Sequence, residues 1–215
     1  VEKSRRERYK RFEEMDEYPE VGSAFDIFAD DATQKNLSND RWTVKTDSQL
    51  VSEEIKKLFT SIKLDRFYWD IIRNTVKYGD CFIETILDLN NPTLGIQRVK
   101  ILNPNFILRA ENEYGYLTNF IQEIPSEENN YISYGGEEDK HSRYITLDKN
   151  QILHFRLHTS DPAYYPYGRS IAAHAIRIFR SLRLMEDAML VYRLARAPER
   201  RIFYVDVGNM PATKA

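Results

Sequence analysis

The sequence has a single cysteine, Cys81, among its 215 residues. One cysteine cannot form an intrachain disulfide or a zinc site built from thiolates, so we expect a protein that assembles inside a cell rather than a secreted one. No apolar run approaches the roughly 18 residues of a membrane span, and the charged first segment does not have the pattern of a signal peptide. These absences favour a soluble protein.

Catalytic and cofactor-binding patterns are also absent. With only eight glycines, the sequence contains none of the motifs GxxxxGK[ST], GxGxxG and HExxH. His154 and His158 lack two further ligands for zinc, and Cys81 lies in an apolar segment that predicts a buried, inert thiol. Glu84 and Asp88 could pair as general acid and base, but two carboxylates four apart on a strand more often form a solvated face. We expect no catalytic residues, no metal, no cofactor and no small-molecule substrate.

The overall charge is close to balanced, at a formal value of −2. The chain as a whole therefore does not attract nucleic acid, and any contact with DNA has to be local. Hydrophobic residues make up 42% and charged residues 30% of the sequence, which is typical of a globular protein.

Apolar spacing predicts helices in the first third of the chain. Residues 2–17 read as a polar helix that Pro19 and Gly22 terminate. Three further helices are predicted in segments 20–34, 47–62 and 64–80, the second capped by Asp47 or Ser48. Gly79 is placed to end the last of them in a left-handed conformation.

After Gly79 the hydrophobic period changes to that of strands. The segments "CFIETILDL", "GIQRVKIL", "NFILRA", "YLTNFIQEI", "RYITL" and "QILHFRL" predict one mainly antiparallel sheet, covered by the helices around Leu58 and Ile71. The fold class is therefore α+β. The acidic stretch Ser126–Ser142 is expected to form an exposed loop. The expected core residues are Phe82, Ile86, Val99, Ile101, Phe120, Ile152 and Phe155.

A tyrosine-rich linker, "HTSDPAYYPYG", leads to a long helix predicted from Ile171 to Ala197 and ended by Pro198. One heptad seam runs along it, formed by Ile171, Ala175, Ile178, Leu182, Met185, Met189 and Tyr192. A second apolar track comprises Ala172, Ile176, Phe179, Ala188, Val191 and Ala195. Two interpretations follow, namely a helix packed between neighbouring subunits or the central helix of a single-domain core.

The charge of this segment favours the first interpretation. From Arg169 to Arg201 there are eight arginines against three acidic residues, a net charge of +5 in a chain whose total is −2. Core helices seldom carry arginines spread around them, as is the case here for Arg177, Arg180, Arg183, Arg193 and Arg196.

Three segments in series resemble one known family. They are "YGDCFIETILD" after a helix, "HFRLHTSDPAYYPYGRSIAAHA" before the long helix, and "YRLARAPERRIFYVDVGNMPATKA" at the end. Together they are similar to the portal vertex proteins, or head-to-tail connectors, of T4-like tailed bacteriophages. The resemblance covers essentially the whole sequence but not the family's whole length, and with Val1 in place of a first Met we expect a piece of a longer protein.

The resemblance implies a structural protein and not an enzyme. Its members form a dodecameric ring at one capsid vertex, through which double-stranded DNA is packaged and ejected without sequence specificity. The implied partners are further copies of the chain, the major capsid protein, the scaffold, the terminase large subunit and the neck proteins. The implied location is the virion, and the host cytoplasm during assembly.

The resemblance also divides the chain into a wing (1–168), a stem (169–201) and the start of a clip (202–215). We expect the seam residues to form the stem's subunit interface, with Glu186 and Asp187 as local partners of the arginines. A second expectation is that Ile202–Val207 pairs with a neighbouring subunit near the terminase. The residues concerned are Arg200, Arg201, Ile202, Phe203, Tyr204 and Val205.

Most stem arginines are interpreted as partners for carboxylates on adjacent subunits, because a channel strongly lined with arginine would hold DNA rather than pass it. Direct DNA contact by Arg177, Arg180 and Arg183 is the other interpretation. The alternative function is a nucleic-acid-binding module that uses Arg193–Arg201. A third possible function is a hydrolase that acts through Glu84 and Asp88.

Overall fold

A computed structural model of the chain describes residues 2–35, 42–87, 91, 95–124, 143–196, 202–204 and 206. The acidic stretch 126–142 and the predicted helix stop at Pro198 lie outside the described residues. The chain divides into two compact units, Val1–His174 and Ala175–Ala215. The wing, stem and clip boundaries stay predictions.

Four helices open the first unit, close to where the apolar spacing predicts them. They are α1 (Glu2–Asp16), α2 (Pro19–Ala32), α3 (Gln49–Ser61) and α4 (Leu64–Tyr78). Pro19 follows the end of α1 and occupies the first turn of α2. Gly79 ends α4 with a φ of 84°, as expected. Ser48 is the N-cap residue of α3, but its side chain makes no capping hydrogen bond.

Gly22 was expected to end a helix, and this is wrong. It lies inside α2 and is buried. A Cβ atom there would lie 2.8 Å from the carbonyl oxygen of Asp16. The glycine is therefore explained by the close approach of α2 to the end of α1.

The α+β class is confirmed, but the strands form two sheets instead of the single sheet that we expected. The six described strands are β1 (Asp80–Leu87), β2 (Ile96–Leu102), β3 (Ile107–Glu111), β4 (Leu117–Ile124), β5 (Arg143–Asp148) and β6 (Ile152–Arg156). They pair antiparallel in the orders β2-β1-β6 and β3-β4-β5. A short 3-10 turn, Pro104–Phe106, separates β2 from β3 and starts the second sheet.

The core lies on both faces of the central strand β1. On one face, residues of both sheets pack together, namely Phe82, Leu102, Ile107, Phe120, Leu147, Ile152 and Tyr167. On the other face, Cys81 and Ile83 pack with Ile71 of α4. Three of the seven expected core residues, Phe82, Phe120 and Ile152, are thus buried.

The other four expected core residues are not fully buried. Phe155 is 46% exposed and Ile86 38% exposed, while Val99 and Ile101 are partly buried against the cluster of Cys81. Phe155 lies opposite Cys81 in the register, so it shares the helix-bearing face of the sheet. It belongs to the edge strand β6, however, whereas α4 packs on the central strand β1.

Helix α1 is more buried than its polar sequence indicates. Arg5, Tyr9, Phe12 and Met15 form one stripe along it, and each is at most 2% exposed. At its end, Asp16 accepts hydrogen bonds from Arg73 at 2.8 Å and from Lys77 at 2.7 Å. Partial burial opposes ionisation, but these two cations lower the pKa of Asp16 below its ordinary value.

Replacing Phe82 by Ala should lower the free energy of unfolding by about 3–5 kcal/mol, because it leaves a cavity between the two sheets. Phe155→Ala should cost less than about 1 kcal/mol, since nearly half of that side chain is already in water. Urea unfolding of the two variants measures the difference, and equal losses would contradict the assigned core.

Asp16→Asn should lower the free energy of unfolding at pH 7 by about 1 kcal/mol. Since the pKa of Asp16 is lowered in the folded state, its stabilising effect is present above the unfolded pKa and is lost as the pH falls through the folded value. The difference from wild type should therefore shrink as the pH falls below about 4. Asp31→Asn is the control, because that side chain is exposed and accepts a hydrogen bond from the exposed side chain of Gln34. A difference that stays constant with pH would contradict the role of Asp16.

Candidate subunit interface

The long helix begins later than predicted. Residues Ile171–His174 form a short 3-10 helix, and the α-helix α5 spans Ile176–Arg196. The hydroxyl of Ser170 accepts a hydrogen bond from the N–H of Ala172 and donates one to the carbonyl of Val76. This side chain holds the first turn in the tighter conformation, so the expectation of one continuous helix from Ile171 is wrong.

The seam of α5 is exposed. Every residue from Arg180 to Arg196 is exposed, and Ile178 is exposed by 72% and Met185 by 63%. The large apolar side chains concerned are Ile178, Leu182, Leu184, Met185, Met189, Leu190, Val191, Tyr192 and Leu194. They occupy all sides of the helix, so its interpretation as the central helix of a single-domain core is wrong. A helix of this kind is stable in water only if other apolar surfaces cover it.

The charged residues of α5 do not pair with one another. Among the described residues, no ion pair involves Arg177, Arg180 or Arg183, and none involves Glu186 or Asp187. The expected pairing of the stem arginines with these two carboxylates is thus not formed within the described part of one chain. All of these groups are exposed to solvent.

The segment after α5 is described at four positions. Ile202, Phe203 and Tyr204 are exposed by 68%, 84% and 90%, and none of them belongs to a strand of the described part of the chain. Arg200, Arg201 and Val205 lie outside the described residues. Pairing of Ile202–Val207 with a neighbouring subunit stays a prediction.

Sequence reasoning missed a buried polar cluster that fixes the segment before the long helix. Asp80, which is fully buried, accepts hydrogen bonds from the hydroxyl of Tyr9 (2.5 Å) and the N–H of Gly168 (2.8 Å). It also contacts Nε2 of His154 at 2.7 Å. Burial, and then the charge of Asp80, raise the pKa of Tyr9 well above its ordinary value, so this phenol stays a donor.

His154 links the two sheets through this cluster. Its Nδ1 atom lies 3.1 Å from Nη1 of Arg109 on β3. A guanidinium only donates, so Nδ1 accepts and the Nε2–H donates to Asp80. The ring also stacks on Phe82 at a centroid distance of 4.3 Å.

Two glycines bring the same segment against the end of α4. A Cβ atom on Gly168 would lie 2.0 Å from the carbonyl oxygen of Gly79, which already accepts a hydrogen bond from the N–H of Leu157 at 2.8 Å. A Cβ atom on Gly79 would lie 2.6 Å from backbone atoms of Arg169 and Ser170. The sequence does contain one signal for this cluster. Asp80 directly follows the helix-ending Gly79 and begins an apolar strand, and a carboxylate that is buried in such a strand needs hydrogen-bond donors.

Two of the residues weighed for catalysis, Glu84 and Cys81, are held within the fold. Glu84 accepts a hydrogen bond from Gln151 at 2.9 Å, while Asp88 lies outside the described residues. Cys81 is fully buried, and burial raises the pKa of its thiol to about 12. Within the described ranges, no three His, Cys, Asp or Glu side chains are grouped so that they could hold a metal ion. No helix in those ranges is long and apolar enough to cross a membrane.

A sequence model of the bacteriophage T4-like portal protein (Gp20) family matches residues 5–215. The chain belongs to the T4-like portal protein family. The portal protein of Vibrio phage KVP40 is 24% identical over 98% of this chain, and that of Salmonella phage ViI is 25% identical over 94%.

The chain spans 44% and 40% of the lengths of these two portal proteins. It therefore corresponds to less than half of each relative. Among solved structures, the neck of a native GTA particle, computed with C12 symmetry, is 13% identical and aligns with a TM-score of 0.47 over 93% of this chain and 49% of that one.

Gly168→Ala should lower the free energy of unfolding by about 3 kcal/mol or more, because the new Cβ would meet backbone that cannot move aside. Gly115→Ala is the matched control. That glycine has a φ of 80° with no atom near its Cβ position, so only the conformational cost of about 1–2 kcal/mol applies. Thermal and urea unfolding compare the two variants, and equal losses would rule out the steric role of Gly168.

Proposed function

We propose that the chain is the wing, the first stem helix and the start of the clip of a phage portal protein. In this proposal twelve copies form a ring at one capsid vertex, and double-stranded DNA passes through the ring during packaging and ejection. The observation that carries the proposal is the exposure of apolar side chains on all sides of α5, from Ile178 to Leu194, in a chain that belongs to the portal family.

Subunit packing through α5 accounts for this exposure. Burying one Leu, Ile or Met side chain stabilises by about 1.5–3 kcal/mol, so a helix with nine exposed large apolar side chains gains much from neighbours on both sides. A closed ring provides two neighbours for every copy, with different surfaces in contact at each interface. We assign the seam residues, from Leu182 to Tyr192, to this contact.

The arginines of α5 fit the same arrangement. Within the described part of the chain they form no ion pairs with carboxylates. In the proposed ring, carboxylates of a neighbouring subunit bind them through two parallel hydrogen bonds. The second possible assignment is that Arg177, Arg180 and Arg183 face the DNA. It requires loose contacts, because each phosphate contact adds affinity and would slow translocation.

The proposed role is structural. In this proposal the ATPase that drives DNA packaging is a separate protein, the terminase. We propose that the segment with Arg200, Arg201 and Ile202–Val205 lies near the surface on which the terminase docks. The capsid protein, the scaffold and the neck proteins are the remaining proposed partners, in the virion and in the host cytoplasm during assembly. The alternative of a nucleic-acid-binding module at Arg193–Arg201 has no support from the family or its relatives.

The double variant Met185→Glu/Met189→Glu should abolish ring formation by the full-length protein, because it places two carboxylates on the apolar seam. Both side chains are more than half exposed in the single chain, so the first unit should remain folded. Native mass measurement and electron microscopy detect the ring, and circular dichroism detects the fold.

Tyr114→Glu is the control, since this side chain of the first unit is 83% exposed and lies outside the proposed contact. It should form rings as wild type does. Normal rings from the double variant would contradict the assignment of α5 to the interface, and a wild-type protein that is monomeric would contradict the proposed function.

A further inference from the structure

The C-terminal end of α2 carries charges that are unfavourable for its own helix. Asp30 and Asp31 lie in the last turn of α2, which has no basic residue. The backbone carbonyls at the end of a helix carry a partial negative charge, so cations are stabilising there and carboxylates are not. The whole of α2 has four acidic residues and no basic one. A cation from outside this helix would therefore relieve the repulsion.

The described part of the chain does not supply this cation. Asp30 accepts a hydrogen bond from Nε1 of Trp69 at 2.7 Å, and Asp31 accepts one from the side-chain amide of Gln34 at 3.1 Å. Both donors are neutral, and no ion pair among the described residues involves either carboxylate. Each hydrogen bond uses the Oδ1 atom. Since both side chains are exposed, their Oδ2 atoms can accept from an arginine.

The start of α5 has the opposite charge problem. Arg177 lies in the first turn of α5, which has no acidic residue, and Arg180 directly follows that turn. The N–H groups at the start of a helix carry a partial positive charge, so anions are stabilising there and cations are not. Both arginines are exposed, and neither forms an ion pair within the described part of the chain. Carboxylates from another helix would relieve this repulsion.

Exposed apolar side chains accompany the charges on both helices. Ile27 is exposed by 66% and Phe28 by 49%, shortly before the two aspartates. Ile178, exposed by 72%, lies between the two arginines in the sequence. The two helix ends thus match in charge and in apolar surface. A contact between them would bury apolar area and would place the negative end of one helix dipole at the positive end of the other.

The charges of the two compact units indicate which molecule supplies the contact. The first unit carries 23 basic and 29 acidic residues, a formal net charge of −6, and the second carries 8 basic and 4 acidic residues, a net charge of +4. The first unit of one copy therefore attracts the second unit of another copy, although two first units repel each other. DNA cannot bind the end of α2, because Asp30 and Asp31 repel its phosphates. A cyclic ring permits the pairing, since each of its interfaces joins two different surfaces.

We propose that the C-terminal end of α2 binds the start of α5 of a neighbouring copy, with Asp30 and Asp31 as the acceptors and Arg177 and Arg180 as the donors. This inference rests on the proposed ring and identifies the carboxylates that the first arginines of α5 bind. Arginine suits the role, since its planar fork binds a carboxylate through two parallel hydrogen bonds.

Charge reversal on each helix tests this contact in the full-length protein. Asp31→Arg and Arg180→Asp should each raise the protein concentration at which rings form, measured by analytical ultracentrifugation, about tenfold or more. Both positions are exposed, so the single chain should stay folded. Asp31→Arg places a cation at a helix C-terminus, so the melting temperature of the unassembled chain should stay the same or rise while assembly weakens. A purely structural role of Asp31 would lower both.

Glu113→Arg is the matched control, because it makes the same charge change as Asp31→Arg at an exposed position between β3 and β4. It should assemble as wild type does. The double variant Asp31→Arg/Arg180→Asp exchanges the two charges, so it should form rings near the wild-type concentration.

An equimolar mixture of the two single variants shows whether the contact joins different copies. In a ring where the variants alternate, every interface joins either the two original residues or the two reversed ones. The mixture should therefore form rings near the wild-type concentration, although neither variant does so alone. A contact within one copy would be restored by the double variant but not by the mixture.

Three results would overturn the inference. They are wild-type assembly of either single variant, restoration by the double variant alone, and normal rings of both single variants with weaker retention of added DNA by Arg180→Asp. The last result would assign the start of α5 to DNA. In all three cases the wild-type rings still stand, whereas a monomeric wild type overturns the proposed function and this contact with it.

Discussion

The carboxylate of Asp80 is fully buried, and three segments distant in sequence supply its hydrogen-bond partners. Tyr9 comes from α1, His154 from β6 and the N–H of Gly168 from the linker before the long helix. An ionised carboxylate that lost these partners would cost several kcal/mol, so the three segments have to be in place together. Because His154 also accepts from Arg109, the second sheet is held by the same cluster, and α1 and the two sheets are joined through the carboxylate of Asp80.

The cluster around Asp80 also fixes the conformation of the linker where it approaches the long helix. Gly168 is held by Asp80 from one side and by the backbone of Gly79 from the other, at a separation that a side chain would not allow. Ser170 then bonds to the last turn of α4 and sets the 3-10 turn that precedes α5. Tyr164, Tyr167 and Arg169 lie on this stretch, which is why a loop in sequence terms presents its side chains in a defined arrangement.

Local features of the fold could be predicted from the sequence, and long-range ones could not. Helical spacing and the left-handed Gly79 depend on neighbouring residues, and the positions of α2, α3 and α4 followed from them. The division into two sheets depends on which strands pair, and strand periodicity contains no information on partners. Phe155 was expected in the core because a strand pattern does not tell an edge strand from a central one. Asp80 was missed for the same reason, since its partner Gly168 is 88 positions away.

The composition of α5 follows from two requirements that oppose each other. Its apolar side chains need cover, because they lie on all sides of a helix that is exposed from Arg180 onwards. A helix that was apolar throughout would satisfy this need by aggregation without a defined register. Arginines spaced between the apolar residues penalise any register that buries a guanidinium without a carboxylate, at several kcal/mol for each unpaired charge. In the proposed ring, the apolar residues supply the affinity of α5 for its neighbours, and the arginines restrict the arrangements in which that affinity is realised. A closed ring satisfies both requirements for every copy at once, since no subunit is left with an uncovered side.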